Sequence, residues 1–166
     1  MNPQVWQPTL GWITNQLEMT DGYDVVVMSH VPLGKGTETV SDPTGETTDS
    51  TVGSVDWVTR TDFWTARKNK TSGSFTDQYG VAHAYDFTNC DGELLCGLHG
   101  HQHYDGYYYA GDALLDAFFD AYYISPRAIH FVLIDRENRQ LNVWKVDDTP
   151  QVQNYQVPLD KTEQEV

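Results

Sequence analysis

Three of the six histidines of this 166-residue chain lie within five positions of one another, at His99, His101 and His103. Imidazole is a common side-chain ligand for zinc, iron, nickel and copper. In an extended His-x-His segment both rings project from the same side of the chain, so His101 and His103 could supply two ligands to one site. Gly100 stands before them and allows the backbone to approach a crowded site closely. This segment is therefore the first candidate for chemistry.

A fourth histidine, His30, follows a short apolar run over residues 23–29. A run of this kind, without polar alternation, is typical of a strand buried on both faces in the middle of an α/β sheet. Ligands of open α/β sheets collect beyond the carboxyl ends of the strands, where loops from neighbouring strands converge. Two interpretations of His30 follow: it joins the histidine cluster as a metal ligand, or it only packs at the end of its strand.

The spacing of apolar residues along the chain predicts the helices and strands that must position these histidines. Apolar residues at helical spacing predict helices over residues 8–19 and 55–69. Apolar and β-branched segments predict strands over residues 81–87, 121–124, 128–134 and 141–146. The polar residues at 135–139 predict a hairpin turn between the last two of these strands. Small polar residues predict a long loop at 34–54 and turns at 71–79, and a helix is predicted to start near Asp112.

The order of these elements predicts an α/β or α+β layered fold. The length suits one domain with a sizeable core, which we expect over residues 1–147, followed by a polar tail over residues 148–166. His83 and His130 fall on predicted strands and are interpreted as structural residues. The tyrosines at 107–109 are interpreted as strand packing rather than as a stacking platform.

Charge and composition restrict the partners. Ten Lys and Arg against 24 Asp and Glu give a net charge of −14, which repels nucleic acids and anionic membranes but suits cations. A simpler interpretation of this charge is that it keeps the domain soluble. No run approaches the ~18 apolar residues of a membrane span, and no signal-peptide pattern is visible, so we expect a cytoplasmic location.

The only two cysteines, Cys90 and Cys96, fit neither a metal knuckle nor a redox motif. Their spacing and number favour a reduced environment, because a disulfide framework would use more cysteines. A single cystine between them stays open as an alternative.

Three pieces of the sequence, in order, resemble the second half of a calcineurin-like metallophosphoesterase. The first is the helix that contains Trp12 and Leu17, ahead of the apolar strand. The second is the end of that strand at residues 29–33, Ser-His-Val-Pro-Leu, which resembles the family's Ser-His-x-Pro-Leu. The third is residues 100–103, Gly-His-Gln-His, which matches the family's Gly-His-x-His motif. The hairpin over residues 129–144 resembles the strands that close the family's fold.

The resemblance implies a fold, a site and an activity. The fold would be part of a layered αββα sandwich with a mixed sheet and a carboxy-terminal β-hairpin. His30 and His101 would bind one divalent metal of a pair and His103 the other, the metal being Mn, Fe, Zn or Ni. Apart from the resemblance, His99 either packs in the structure or supports a ligand from behind, and Asp105 either orients a ligand histidine or is a solvated acid in a turn. Two such metals hydrolyse phosphoesters by holding the phosphoryl oxygens and generating a hydroxide, so the expected substrate is a small phosphoester.

The sequence also departs from the family. The amino-terminal motifs Asp-x-His, Gly-Asp-x-x-Asp and Gly-Asn-His-Asp/Glu are absent, so the bridging carboxylate is missing and no catalytic residue is assigned. Gly111-Asp112, followed by Asp116, has only a superficial likeness to one of them. We therefore expect an isolated chain to be inactive and to need an amino-terminal half on another chain, or to self-associate, since half a sandwich exposes apolar faces and strand edges.

Two other hypotheses remain. The chain could be a non-catalytic binding or assembly module that retains the fold and at most one metal. It could also hold a single zinc through His99, His101 and His103 together with an acid, although three ligands from five residues would be strained.

Overall fold

The computed structural model describes residues 7–18, 22–30, 36–41, 43, 47–52, 61–76, 80–100, 104–119, 128–148 and 152–161. Over these residues the chain is a mixed α/β protein, mostly strands, with two helices and a mixed sheet. The helices are α1 (Gln7–Glu18) and α2 (Thr61–Lys68). Neither of them is long and apolar enough to cross a membrane.

Eleven strands accompany these helices in the described part of the chain. They are β1 (Val25–Met28), β2 (Gly36–Ser41), β3 (Thr47–Val52), β4 (Ser72–Thr76), β5 (Ala82–Asp86), β6 (Leu94–His99), β7 (Gly106–Ala110), β8 (Ala113–Phe118), β9 (Ala128–Asp135), β10 (Gln140–Asp147) and β11 (Val152–Pro158).

Six strands form the main sheet, in the order β1-β6-β8-β7-β2-β3. Strands β1, β6 and β8 are parallel to one another, and β7, β2 and β3 continue the sheet as antiparallel neighbours. Met28 on β1 is the partner of Leu98 on β6, which in turn is the partner of Ala117 on β8. The carboxyl ends of the three parallel strands therefore lie side by side at one edge.

Two smaller sheets flank the main one. Strands β9, β10 and β11 form an antiparallel three-stranded sheet in the order β11-β10-β9, and β4 pairs with β5 as a hairpin. The turn between β9 and β10 is closed by Asp135, which accepts hydrogen bonds from the backbone and side chain of Asn138. The hairpin predicted from residues 128–146 is confirmed.

Strands β1, β6, β7 and β8 of the main sheet pack against buried cores on both faces. On one face, α1, α2 and the β4–β5 hairpin bury an aromatic cluster centred on Phe63, whose ring lies 4.9–5.6 Å from those of Trp64, Phe75, Tyr85 and Phe87. On the other face, the three-stranded sheet contributes residues to a second, aliphatic core: Leu95, Leu114, Leu141, Val143, Val157 and Leu159. Burying each of these large side chains contributes roughly 1.5–3 kcal/mol.

The sequence did not predict the strands that lie in segments of polar composition. The loop predicted over 34–54 contains β2 and β3, which pair with each other as antiparallel strands. Their threonines are β-branched residues, which favour strands. The turns predicted over 71–79 contain β4. The predicted polar tail contains β11, whose pairing with β10 and whose buried Val157 make it part of the domain.

Two predictions about apolar runs also differ from the structure. The helix expected near Asp112 is strand β8, because Gly111 turns the chain at φ +68° and the following run is buried on both faces. Strand β1, expected in the middle of a sheet, has only β6 as a neighbour among the described strands. The helix predicted over residues 8–19 is confirmed as α1.

Cys90 and Cys96 are buried thiols that form no disulfide, so the cystine left open by the sequence does not form. Burial raises the pKa of the Cys96 thiol to about 12, which keeps it protonated near neutral pH. We predict that both thiols react with iodoacetamide only on unfolding, because the thiolate is the nucleophile and neither sulfur is accessible. Mass spectrometry before and after guanidinium treatment measures this; rapid alkylation of the native protein would contradict it.

Candidate functional site

The carboxyl ends of β1, β6 and β8 bring the candidate residues to one edge of the main sheet. Beyond the Met28–Leu98 partners, the Ser29 amide donates to the Leu98 carbonyl at 3.3 Å. His30 therefore leaves β1 beside Gly100, where the histidine segment leaves β6. His30 is exposed, whereas His101 and His103 lie outside the described residues.

His99, the last residue of β6, is buried and hydrogen-bonded at both ring nitrogens. Its Nε2 lies 2.7 Å from Asp116 Oδ1 on β8, and both side chains are fully buried. Its Nδ1 lies 3.0 Å from Ser29 Oγ and 3.1 Å from the Ser29 carbonyl oxygen. With Nε2–H donating to Asp116, a neutral ring accepts from the Ser29 hydroxyl, whereas a charged ring donates to the Ser29 carbonyl. His99 thus links all three parallel strands.

Gly97 makes this arrangement possible. It is two residues before His99 on the same face of β6 and is the cross-strand partner of Asp116. A Cβ at Gly97 would lie 2.2 Å from His99 Nε2 and 2.8 Å from Asp116 Oδ1, which is closer than real atoms approach. The imidazole therefore occupies the space that any side chain at residue 97 would take. A glycine inside a strand often marks such a close approach, and this signal was missed in the sequence.

Asp105 anchors the other side of the histidine segment. Its two carboxylate oxygens lie 3.0 Å from His130 Nε2 and 2.9 Å from Lys145 Nζ, and all three side chains are largely buried. His130 and Lys145 are directly opposite each other on β9 and β10. The contact with His130 has the distance of an ion pair but not the angle of a hydrogen bond, so Lys145 is the firmer partner. Asp105 therefore lies against His130, which the sequence predicted to be a structural residue, and not against a predicted metal ligand among the described residues.

A cleft of about 650 Å³ lies between the ends of the parallel strands and β9. Its size falls within the range of small-molecule sites. The polar part of its lining includes Ser29, His99 and His130, and the apolar part includes Met28, Phe119 and Val132. The imidazole of His130 packs against Phe119 with ring centroids 4.9 Å apart. The cleft therefore offers polar groups at the sheet edge and an apolar wall beside them.

The structure describes only one of the three metal ligands predicted from sequence, because His101 and His103 lie outside the described residues. Among the described residues, no three histidine, cysteine, aspartate or glutamate side chains converge to hold a metal ion. Of the predicted set only His30 is described, and its exposed imidazole at the sheet edge has the donor chemistry that a divalent ion needs. His99 has both nitrogens engaged, which disfavours the zinc site that would use it as a ligand.

Hydroxyl, imidazole and carboxylate in series also form the arrangement that activates a serine nucleophile. Here the Ser29 carbonyl lies as close to the ring nitrogen as the Ser29 hydroxyl does, at 3.1 Å against 3.0 Å. The contact therefore holds the backbone at the end of β1 as well as the side chain. This favours a positioning role for His99 over activation of the serine.

We predict that His99 and Asp116 are energetically coupled. Replacing either by alanine should cost roughly 3 kcal/mol of unfolding free energy, because the remaining partner is buried without its hydrogen bond. The double variant should cost clearly less than the sum of the singles, as urea unfolding can measure. His83→Ala, outside this network, should cost less than about 1 kcal/mol. Strict additivity would contradict the coupling.

Gly97→Ala should destabilise the fold by about 1–3 kcal/mol, because the new methyl group displaces the His99 ring. In a His99→Ala background the ring is gone and the methyl group no longer clashes. Gly97→Ala should therefore lower the stability of the His99→Ala protein less than it lowers that of the parent chain. Thermal unfolding of the four proteins tests this. A Gly97→Ala protein as stable as the parent would refute the close approach.

Comparison of the whole chain with protein-family models, with curated proteins and with solved structures finds no match. No relative therefore supplies a ligand set, a substrate or a partner. The residues at the sheet edge, the cleft beside them and the sequence motifs remain as the indications of function.

Proposed function

We propose that this chain supplies three histidine ligands to a two-metal site that hydrolyses phosphoesters. The supporting observation is the parallel pairing of β1 with β6, which brings His30 beside the start of the segment that carries His101 and His103. These positions are far apart in the sequence, and the resemblance to metallophosphoesterases requires them to meet. The edge at which they meet is the one where ligands of α/β sheets collect.

The residues would divide the work as follows. His30 and His101 would hold one metal and His103 the other, and the pair of metals would polarise the phosphoryl oxygens and supply a hydroxide. His99 fixes the backbone at Ser29 and so limits where the neighbouring imidazole of His30 can point. Residues that orient a metal ligand without touching the metal strengthen metal binding. The apolar wall of the cleft suits a phosphoester with an apolar or aromatic group.

Two largely buried carboxylates lie near this edge in the described part of the chain, and both are already paired. Asp105 is held by Lys145 and Asp116 by His99, so neither carboxylate in the described region is available to bridge two metals. We propose that the carboxylates of a complete two-metal site come from an amino-terminal half on another polypeptide or from an associated second copy. An isolated chain would then bind metal weakly and hydrolyse little.

The arrangement of layers suits the same proposal. In this proposal the two helices, the six-stranded sheet and the three-stranded sheet would be three successive layers of an αββα sandwich. A sandwich of this kind would have a fourth, helical layer outside the three-stranded sheet.

We predict that His101→Ala and His103→Ala each weaken Co²⁺ binding by more than the roughly 10–100-fold that loss of an outer partner costs, because each removes a direct ligand. The visible absorption of the bound ion measures this. His83→Ala is the matched control, because this histidine lies on β5 against Phe75 and away from the sheet edge. Unchanged spectra in both variants would remove the metal site. Hydrolysis of p-nitrophenyl phosphate with Mn²⁺, with and without an added amino-terminal half, tests the activity separately.

A second candidate is a non-catalytic assembly module, and the engagement of both buried carboxylates favours it for the chain alone. The metal content of the purified protein separates the two candidates. Two ions per chain support the hydrolase, a single ion supports the module, and none argues against both.

A further inference from the structure

The cleft between the main sheet and β9 contains a buried histidine that the proposed metal site does not use. His130 lines this cleft from β9, and its side chain is only 6% exposed. The proposed ligands follow β1 and β6 instead. Imidazole is the side chain that most often transfers protons in enzymes. A buried imidazole in a cleft is therefore a candidate for that role, besides the structural role that the sequence predicted.

The charged and titratable groups around His130 come from other elements. Asp105 Oδ1 lies 3.0 Å from His130 Nε2, and Oδ2 of the same carboxylate accepts a hydrogen bond from Lys145 Nζ at 2.9 Å. On β11, burial and then the charge of Asp105 raise the pKa of the Tyr155 phenol, so this group stays neutral. Asp105 therefore presents to Nε2 a negative charge that Lys145 partly balances.

A carboxylate on one ring nitrogen leaves the other nitrogen for a ligand. Nε2 of His130 faces Asp105, so Nδ1 is the nitrogen that could exchange a proton with a molecule in the cleft. The ring of Phe119 packs against the imidazole, with centroids 4.9 Å apart, and limits its rotation. Held in this way, a protonated imidazole donates from Nδ1 and keeps its Nε2–H toward the carboxylate. A carboxylate orients a proton-transferring histidine in the same manner in hydrolases.

The rest of the lining indicates which part of a substrate would occupy the cleft. Ser29 and Gly100 line it, and they directly precede His30 and His101 in the chain. A phosphoryl group bound at those two histidines would lie at this end of the cleft, with its organic substituent directed toward the apolar wall. At about 650 Å³ the cleft has room for an aromatic ring. In a phosphomonoester that substituent is the leaving group.

We propose that the cleft receives the aryl leaving group of a phosphomonoester and that His130 is the catalytic residue that protonates it. This role rests on the hydrolysis proposed above. Attack of hydroxide on phosphorus breaks the bond from phosphorus to the ester oxygen, and the electron pair of that bond stays on the oxygen. The oxygen takes the proton from Nδ1 of the imidazolium. The products are phosphate, the phenol and a neutral imidazole, which solvent protonates again.

A neutral probe tests the subsite on this chain alone, without metal. The net charge of −14 repels a free aryl phosphate, whereas phenol carries the ring and the oxygen of the leaving group without a charge. NMR of the histidine ring signals follows the titration. We expect the His130 signals to shift with a dissociation constant on the order of 1 mM. The His83 signals should stay constant, since this histidine is stacked on Phe75 at 5.2 Å on the β4–β5 hairpin.

Two variants of β9 locate the phenol in the cleft. Val132→Phe adds a ring to the wall and should weaken phenol binding by about tenfold or more, because the new ring occupies the same space. Leu133→Phe is the matched control, since it adds similar bulk on the exposed side of the same strand and should leave binding unchanged. Circular dichroism verifies the fold of both variants.

Two substrates distinguish proton donation by His130 from a purely structural role. p-Nitrophenolate is a stable anion that leaves without a proton, whereas phenolate is a poorer leaving group that needs one. In the hydrolysis assay with the amino-terminal half, His130→Gln should lower kcat by about 100-fold for phenyl phosphate and by less than about fivefold for p-nitrophenyl phosphate. A loss of folding or of metal would lower both rates alike. His83→Gln should change neither rate.

Two results would overturn the proposal. One is a set of His130 signals that do not respond to phenol, and the other is an equal loss of kcat with both substrates. Either result would leave the proposed hydrolase standing, because Co²⁺ binding and hydrolysis of p-nitrophenyl phosphate by the parent protein test it separately. Phenol binding at His130 without any hydrolysis by the parent protein would instead overturn the hydrolase and the catalytic role together, and support the cleft as a binding site.

Discussion

The hydrogen bond between His99 and Asp116 is the constraint on which the rest of the site depends. Both side chains are fully buried where β6 meets β8, and a carboxylate left there without a partner would cost several kcal/mol. Gly97 removes the one side chain that would compete for the space of the ring. The other ring nitrogen reaches Ser29, so a single imidazole joins the three parallel strands at the level where they end.

Two anchors lie on either side of residues 101–103. His99 fixes the chain immediately before Gly100, and Asp105 is bound to Lys145 and lies close to His130. The first anchor belongs to the main sheet and the second joins the three-stranded sheet. The cleft lies where these two sheets approach each other.

The sequence predicted the strands that carry strong apolar patterns and missed those that do not. The hairpin of β9 and β10 was predictable because β-branched and aromatic residues flank a polar turn at Asp135. Strands β2 and β3 were not, since small polar residues such as threonine and serine are also typical of loops. That His30 and the histidine segment follow strands whose ends converge was expected from the sequence, whereas the pairing of His99 with Asp116 depends on sheet register, which no local pattern contains.

Side chains of β9 alternate between the inner side of the three-stranded sheet, beside the cleft, and its exposed side. His130, Val132 and Ile134 point inward, yet Ile129, Phe131 and Leu133 on the opposite side are equally apolar or more so. A strand with this pattern is typical of a sheet that is covered on both sides, as β1, β6, β7 and β8 are here. His130 lines the cleft, and its neighbour Phe131 is exposed on the opposite side of the three-stranded sheet. One strand therefore forms a wall of the cleft in front and an exposed apolar surface behind.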